Sequence, residues 1–285
     1  MAMGEEQRAV RRMAAQIAER LEGCRPSIYL YGSAAMGDFR PGWSDLDILV
    51  LTRETITPEQ AGRLLFLRQE MLEKEPENPD YRFFEGGMLD LCAFLDGHPS
   101  RVIYWGTGGQ RVTDTYLFDS FCMTELLESG LLLFGPELRG QLRKPSYAEL
   151  RADVAAHCRT ICQYGVRAGR SFRAFGWLLD TARGLCTLKT GRVVSKTAAG
   201  EWALENGLCP DRDALETALQ VRRDPLLYQN DPSILDCAET LGPKIRRFAD
   251  ILENELRLTG ETQDEKEGAC NERHSNPEKI GGGIF

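Results

Sequence analysis

The chain has 285 residues, of which 42% are hydrophobic and 27% charged, enough to bury a core in one large domain or two modest ones. Its net charge is −8, and its lysines and arginines are scattered, which argues against a nucleic-acid polymer as partner because gripping that backbone takes clustered positive charge. No apolar run approaches the roughly 18 residues that cross a bilayer, and the charged N-terminus lacks the apolar centre of a signal peptide, so a cytoplasmic protein without membrane contact is expected.

Val10, Met13, Ala14, Ile17 and Leu21 recur at helical spacing, and Gly23 stops that helix. Ser27 to Tyr31 reads as a strand running into Gly32-Ser33, and Leu46 to Thr52 as a second strand, apolar except for Asp47. Thr57-Pro58 opens a helix that extends to about Lys74. A third strand is predicted from Met88 to Leu95, a helix from about Thr113 to Glu128, and a fourth strand from Leu131 to Phe134. After Pro136 no strand pattern returns. Ser146 and Glu149 form a capping box for a helix to Tyr164. Further helices are predicted near 172–189, 195–205, 211–222 and 232–258. The chain therefore divides into an α/β half, 1–139, an all-helical half, 140–258, and a polar tail, 259–285, expected to be disordered.

Nine cysteines with no CxxC pair suggest buried free thiols in a reducing compartment. Cys158 and Cys162, with His157 beside them, make at most half a metal site, and no second cluster completes it. The glycines at 106–109 lack the strand-helix context of a dinucleotide loop, and Trp105 and Tyr116 are as readily core as pocket.

The stretch that carries chemistry is Tyr31-Gly32-Ser33 followed by Ser44-Asp45-Leu46-Asp47-Ile48-Leu49-Val50. Side chains alternate along a strand, so Asp45 and Asp47 share a face. Adjacent carboxylates repel unless a cation lies between them, and hard oxygen ligands suit magnesium. Gly32 allows close backbone approach, and the Ser33 hydroxyl with nearby amides offers donors to a phosphate.

A Gly-Ser turn followed by an Asp-x-Asp strand resembles the DNA polymerase β-type nucleotidyltransferase superfamily. More narrowly, YGSAAMGDFRPGWSDLDILV resembles the streptomycin and spectinomycin adenylyltransferases. A second motif agrees: Thr181-Ala182-Arg183, Leu188 to Gly191, and Val194-Ser195-Lys196-Thr197-Ala198-Ala199 with Glu201-Trp202-Ala203. The resemblance implies an α+β fold, a small mixed-sheet nucleotidyltransferase domain followed by a helical bundle, with the active site between them. It implies that AMP passes from ATP, with two Mg2+ ions, to the hydroxyl of a small molecule such as an aminocyclitol. Asp45 and Asp47 would hold metal. Gly32, Ser33, Ser44, Arg183 and Lys196 would contact the nucleotide.

A third carboxylate, as metal ligand or base, is expected on a neighbouring strand, and Leu89-Asp90-Leu91 fits, with Asp90 chosen. Glu85 precedes two glycines and is read as lying outside the strand. The family usually carries glutamate at the third position. Streptomycin-modifying relatives place acidic residues before the helix bearing the Arg183 equivalent, where this chain has Arg170 and Arg173, so streptomycin is expected to be a poor acceptor. A protein-adenylylating enzyme of antitoxin type and a non-catalytic nucleotide-binding protein are the alternative readings.

Overall fold

A computed structural model of the chain describes residues 5–106, 109–167 and 169–274. Helix α1 (Glu5–Arg20) buries the stripe Ala9, Val10, Met13, Ala14 and Ile17, as its periodicity demands. Then follow β1 (Ser27–Tyr31), a single-turn α2 (Gly32–Ala35), β2 (Leu46–Thr52), α3 (Pro58–Leu65) and α4 (Leu67–Lys74). Thr57 and Gln60 close a capping box on α3. Next come β3 (Phe84–Asp90), α5 (Leu91–Asp96), β4 (Val102–Gly106), β5 (Gly109–Thr113), α6 (Ser120–Ser129) and β6 (Leu131–Phe134). The sheet runs in the order β5-β4-β3-β2-β1-β6. Among the described residues only β2 and β3 pair in parallel and the other pairings are antiparallel, which makes the sheet mixed.

The two faces of the sheet bury different sets of side chains. Ile28, Leu30, Ile48, Val50 and Met88 pack with α1 and α3, whereas Tyr29, Tyr31, Leu49, Leu51 and Leu89 form a second core on the opposite face. Two strands, β4 and β5, were absent from the sequence reading, and β3 begins at Phe84 instead of Met88. Its two glycines disguise it by their low strand propensity. Both are needed where they stand: a Cβ on Gly86 would lie 1.8 Å from the Ile48 carbonyl oxygen, and one on Gly87 would lie 2.5 Å from the Tyr116 ring. Trp105 is fully buried, with its indole N–H donating to the Leu64 carbonyl, so it is core and not pocket.

The second half is helical: α7 (Tyr147–Tyr164), α8 (Gly176–Thr190), α9 (Lys196–Glu205), α10 (Arg212–Arg223), α11 (Pro225–Tyr228), α12 (Pro232–Glu239) and α13 (Gly242–His274). Ser146 and Glu149 cap α7 reciprocally, as their spacing predicts. Helix α13 passes straight through Thr259, so the residues from there to His274 are helical and not a disordered tail. Arg151 of α7 ties it down, donating to the Leu256 carbonyl and to the Thr259 hydroxyl. The rest of the expected tail lies outside the described residues. Trp43, from the loop before β2, inserts into the helical core, with its ring 5.5 Å from Phe172. Among the described residues no helix is long and apolar enough to cross a membrane.

Candidate active site

The cleft between the sheet-bearing and helical halves has a volume of about 550 Å³ and is lined by Gly32, Ser33, Ser44, Asp45, Asp47, Arg183 and Lys196. These residues span more than half the sequence, and the fold brings them together.

On the sheet side, β1 turns sharply at Gly32, whose φ is +69°. A Cβ there would lie 2.2 Å from Asp47 Oδ2, so only glycine lets the turn pass over the carboxylate. Asp47 sits in β2 and Asp45 just before it, both partly buried. Burial first, then repulsion from Glu125, Asp45 and Glu85, pushes the Asp47 carboxyl up to about 8. Burial and Glu85 push Asp45 up to about 6, against the pull of Arg173, Lys196 and Arg68. Such a site is electrostatically incomplete, and its oxygen-only donors match a hard divalent cation. The Ser44 hydroxyl accepts from the Arg40 amide at 3.0 Å, which closes the loop ahead of Asp45.

The helical side supplies cations. Arg183, on α8, pairs with buried Glu125 of α6, donates to the Val194 carbonyl at 2.9 Å, and lies over the Phe121 ring. Lys196 begins α9, behind the Ser195 cap, and pairs with Asp180 of α8 at 2.7 Å. Arg173 holds the carbonyls of Gly42 and Trp43 across the cleft at 3.2 and 3.3 Å. Arg170 is not in the cleft wall: it pairs with Asp236 of α12.

Asp90 is misplaced as the third carboxylate. It caps α5, accepting from the Ala93 amide at 3.0 Å, and stands opposite Thr52 at the far end of the paired strands. The residue opposite Asp47 is Glu85. Five residues of strand, roughly 16 Å, separate Glu85 from Asp90, and an odd separation puts their side chains on opposite faces. Glu85 shares the face of Asp47, close enough to raise both aspartates. The signal that could have found it is the alternation Phe84, Glu85, Gly86, Gly87, Met88, readable as a strand once the glycines are accepted as packing devices. Sequence reading also missed Glu125 and the buried pair Asp38–Arg222, because each is defined by a partner distant in the chain.

Residues 11–88 match the nucleotidyltransferase domain family, and residues 168–252 match the C-terminal domain of aminoglycoside adenylyltransferases. The chain is thus an enzyme of the nucleotidyltransferase class, with an acidic strand facing a cationic helical half. More narrowly, it belongs with the aminoglycoside adenylyltransferases, whose two kinds of domain it carries in order. No curated protein sequence matches the chain. Among solved structures it resembles the spectinomycin adenyltransferase AAD(9) from Enterococcus faecialis with ATP and spectinomycin, at TM-score 0.63 and 16% identity over 85% of this chain and 97% of that one. At that identity the likeness concerns the fold.

Proposed function

We propose that the enzyme transfers AMP from ATP to a hydroxyl of an aminocyclitol or aminoglycoside, in the cleft between its two halves. The observation that carries this reading is the single cleft in which Asp45 and Asp47 face Arg183 and Lys196. The triphosphate lies between them, with Ser33 and the turn at Gly32 on the sheet side and the cations of α8 and α9 opposite. Asp45 and Asp47 would hold magnesium, which supplies charge neutralisation at the phosphates when bound. Lys196 and Arg183 leave their carboxylate partners to take phosphate oxygens, offsetting charge that builds on the leaving group.

Glu85 takes the proton of the acceptor hydroxyl, whose oxygen attacks the α-phosphorus in line. One oxygen–phosphorus bond forms, the bond to the bridging oxygen breaks, and pyrophosphate leaves. Asp180, in the same wall, offers a carboxylate to an acceptor amine once Lys196 has turned to the phosphates.

Incubation with labelled ATP, magnesium and a panel of aminocyclitols and aminoglycosides tests the reading. A labelled small product is expected. Label on protein alone would move the enzyme to the protein-modifying reading, and no transfer to any acceptor would overturn the proposal.

A further inference from the structure

The helical half holds a second group of ligand atoms that nucleotide transfer does not use. Cys158 and Cys162 stand one turn apart on the same face of α7, and Glu253 reaches them from α13. Cys162 Sγ donates to Glu253 Oε1 at 3.3 Å. One ligand atom from each of the three residues falls within 4.8 Å of the others. The second carboxylate oxygen of Glu253 accepts from Arg246 at 2.9 Å. In the sequence the two cysteines were half a site; the fold brings the third donor from 91 residues further on.

We propose that Cys158, Cys162 and Glu253 form a zinc-binding site whose fourth position is open to solvent. Two thiolates and a carboxylate are a zinc donor set, and tetrahedral zinc spaces such atoms about 3.5–3.8 Å apart, within a rotamer adjustment of the observed spread. Magnesium, which prefers oxygen donors, is selected against here and favoured at Asp45 and Asp47, so the two sites sort the two metals by donor type. Charge also closes: a divalent cation with two thiolates and a carboxylate leaves one negative charge, which faces the Arg246 guanidinium. Thiols hold their protons at neutral pH when no metal is bound, and Cys162 Sγ is the donor in its contact with Glu253. Zinc entry therefore breaks two S–H bonds and releases two protons to solvent, with no change of oxidation state.

His157 is not the fourth ligand despite its position. Its ring faces Phe121 at 5.2 Å, and its Nε2 meets Asp119 at 3.2 Å. Cys158 is buried, Cys162 partly so, and Glu253 exposed, so the open position faces water. None of the three lines the cleft between the halves. The metal clamps α7 to α13 and so stiffens the helical half without entering the transfer chemistry.

The full-length chain, stripped by chelation and then held in excess magnesium to occupy the aspartate pair, is titrated with Co2+ and with Zn2+. One equivalent of Co2+ is expected to give intense thiolate-to-cobalt charge-transfer absorption, which Zn2+ abolishes by displacement, and Zn2+ is expected to raise the melting temperature. Cys162→Ser and Glu253→Gln should each weaken zinc at least about tenfold with transfer activity unchanged. Both side chains are partly or fully exposed, so the variants keep the core intact. Absence of the charge-transfer band in the parent, or equal zinc affinity in the parent and Cys162→Ser, overturns the proposal.

Discussion

The carboxylate of Asp38 and the guanidinium of Arg222 meet at 2.7 Å with side-chain exposures of only 6% and 2%. The Thr197 hydroxyl bridges them, donating to Asp38 at 2.7 Å and accepting from Arg222 at 3.1 Å. Asp38 follows the Gly32–Ser33 turn, its amide donating to the Ser33 carbonyl at 2.8 Å, while Thr197 follows Lys196. This buried pair therefore fixes the width of the cleft between the turn and α9.

Removing Arg222 takes away the buried counter-ion of Asp38 and leaves it only the less buried Arg40, at 3.2 Å. Arg222→Met is expected to cost about 3–5 kcal/mol, and Asp38→Leu combined with it should recover much of that loss. Burial pushes Asp38 up, but hydrogen bonds from Arg222 and Thr197 outweigh it and hold the carboxyl below its ordinary value. Its stabilisation is thus complete above the unfolded pKa of about 3.9 and fades as pH falls through the folded value. Thermal unfolding of the three proteins at neutral and acid pH checks this. A single variant as stable as the parent at neutral pH removes the latch from the account.

Asp47 should trade stability for activity. Its carboxyl, at about 8, binds a proton in the folded chain that the unfolded chain has released, so without metal its contribution falls as pH rises from about 4 to 8. Asp47→Asn is expected to abolish transfer yet stabilise the chelator-treated protein by about 2 kcal/mol at pH 8, several degrees in melting temperature. At pH 4 the two proteins should melt together. A variant that is less stable than the parent at pH 8 in chelator would show that the carboxylate is satisfied without a cation.

Glu85 and Asp90 separate by assay. Glu85→Gln should lower kcat at least about a hundredfold with circular dichroism unchanged. Asp90→Ala should leave kcat within a few-fold and instead cost about 1 kcal/mol, the usual loss for a helix cap. The reverse pattern would restore Asp90 to the site and place Glu85 outside the chemistry.

What could be read in the sequence follows from the range of each signal. The stripe of α1 and the capping box Ser146/Glu149 are local patterns that stand where their spacing predicts, and the equally local pair Asp45 and Asp47 lines the cleft. β3 was misjudged because Gly86 and Gly87 look like a loop until Tyr116 and the Ile48 carbonyl are seen against them. β4 and β5 are short, and the glycines between them dominate the local signal. The partners of Arg183 and Lys196 lie 58 and 16 residues away, and no spacing rule announces such pairs.

Lys196 and Asp180 make a second test of the cleft. Lys196→Ala should weaken binding of a non-hydrolysable ATP analogue by about 1.5–3 kcal/mol, the loss of one charge-assisted contact. Asp180→Asn removes the group that competes for the ammonium, so it should tighten the nucleotide while weakening a cationic acceptor. Calorimetry resolves both effects. Unchanged nucleotide affinity in both variants would put Lys196 outside the phosphate site.

The last prediction concerns the acceptor: spectinomycin should be turned over with a higher kcat/KM than streptomycin. The sequence put this on two arginines, and the structure leaves one. Arg170 is engaged by Asp236 at 2.5 Å and does not line the cleft. Arg173 does line it, anchored on the Gly42 and Trp43 carbonyls and near enough to Asp45 to pull that carboxyl down. A guanidinium-bearing drug entering beside it meets like charge in a partly desolvated wall, at a cost on the order of 1–2 kcal/mol, about tenfold in binding. Asp180 is the carboxylate best placed to offset that cost, but Lys196 holds it, and in the proposed reaction the nucleotide draws the lysine away. Arg173→Ala should therefore narrow the difference between the two drugs chiefly through the KM of streptomycin, and prior binding of nucleotide should improve streptomycin more than it improves spectinomycin. Steady-state kinetics with both acceptors decides. A higher kcat/KM for streptomycin in the parent would mean that Asp180, and not Arg173, sets the charge the acceptor meets.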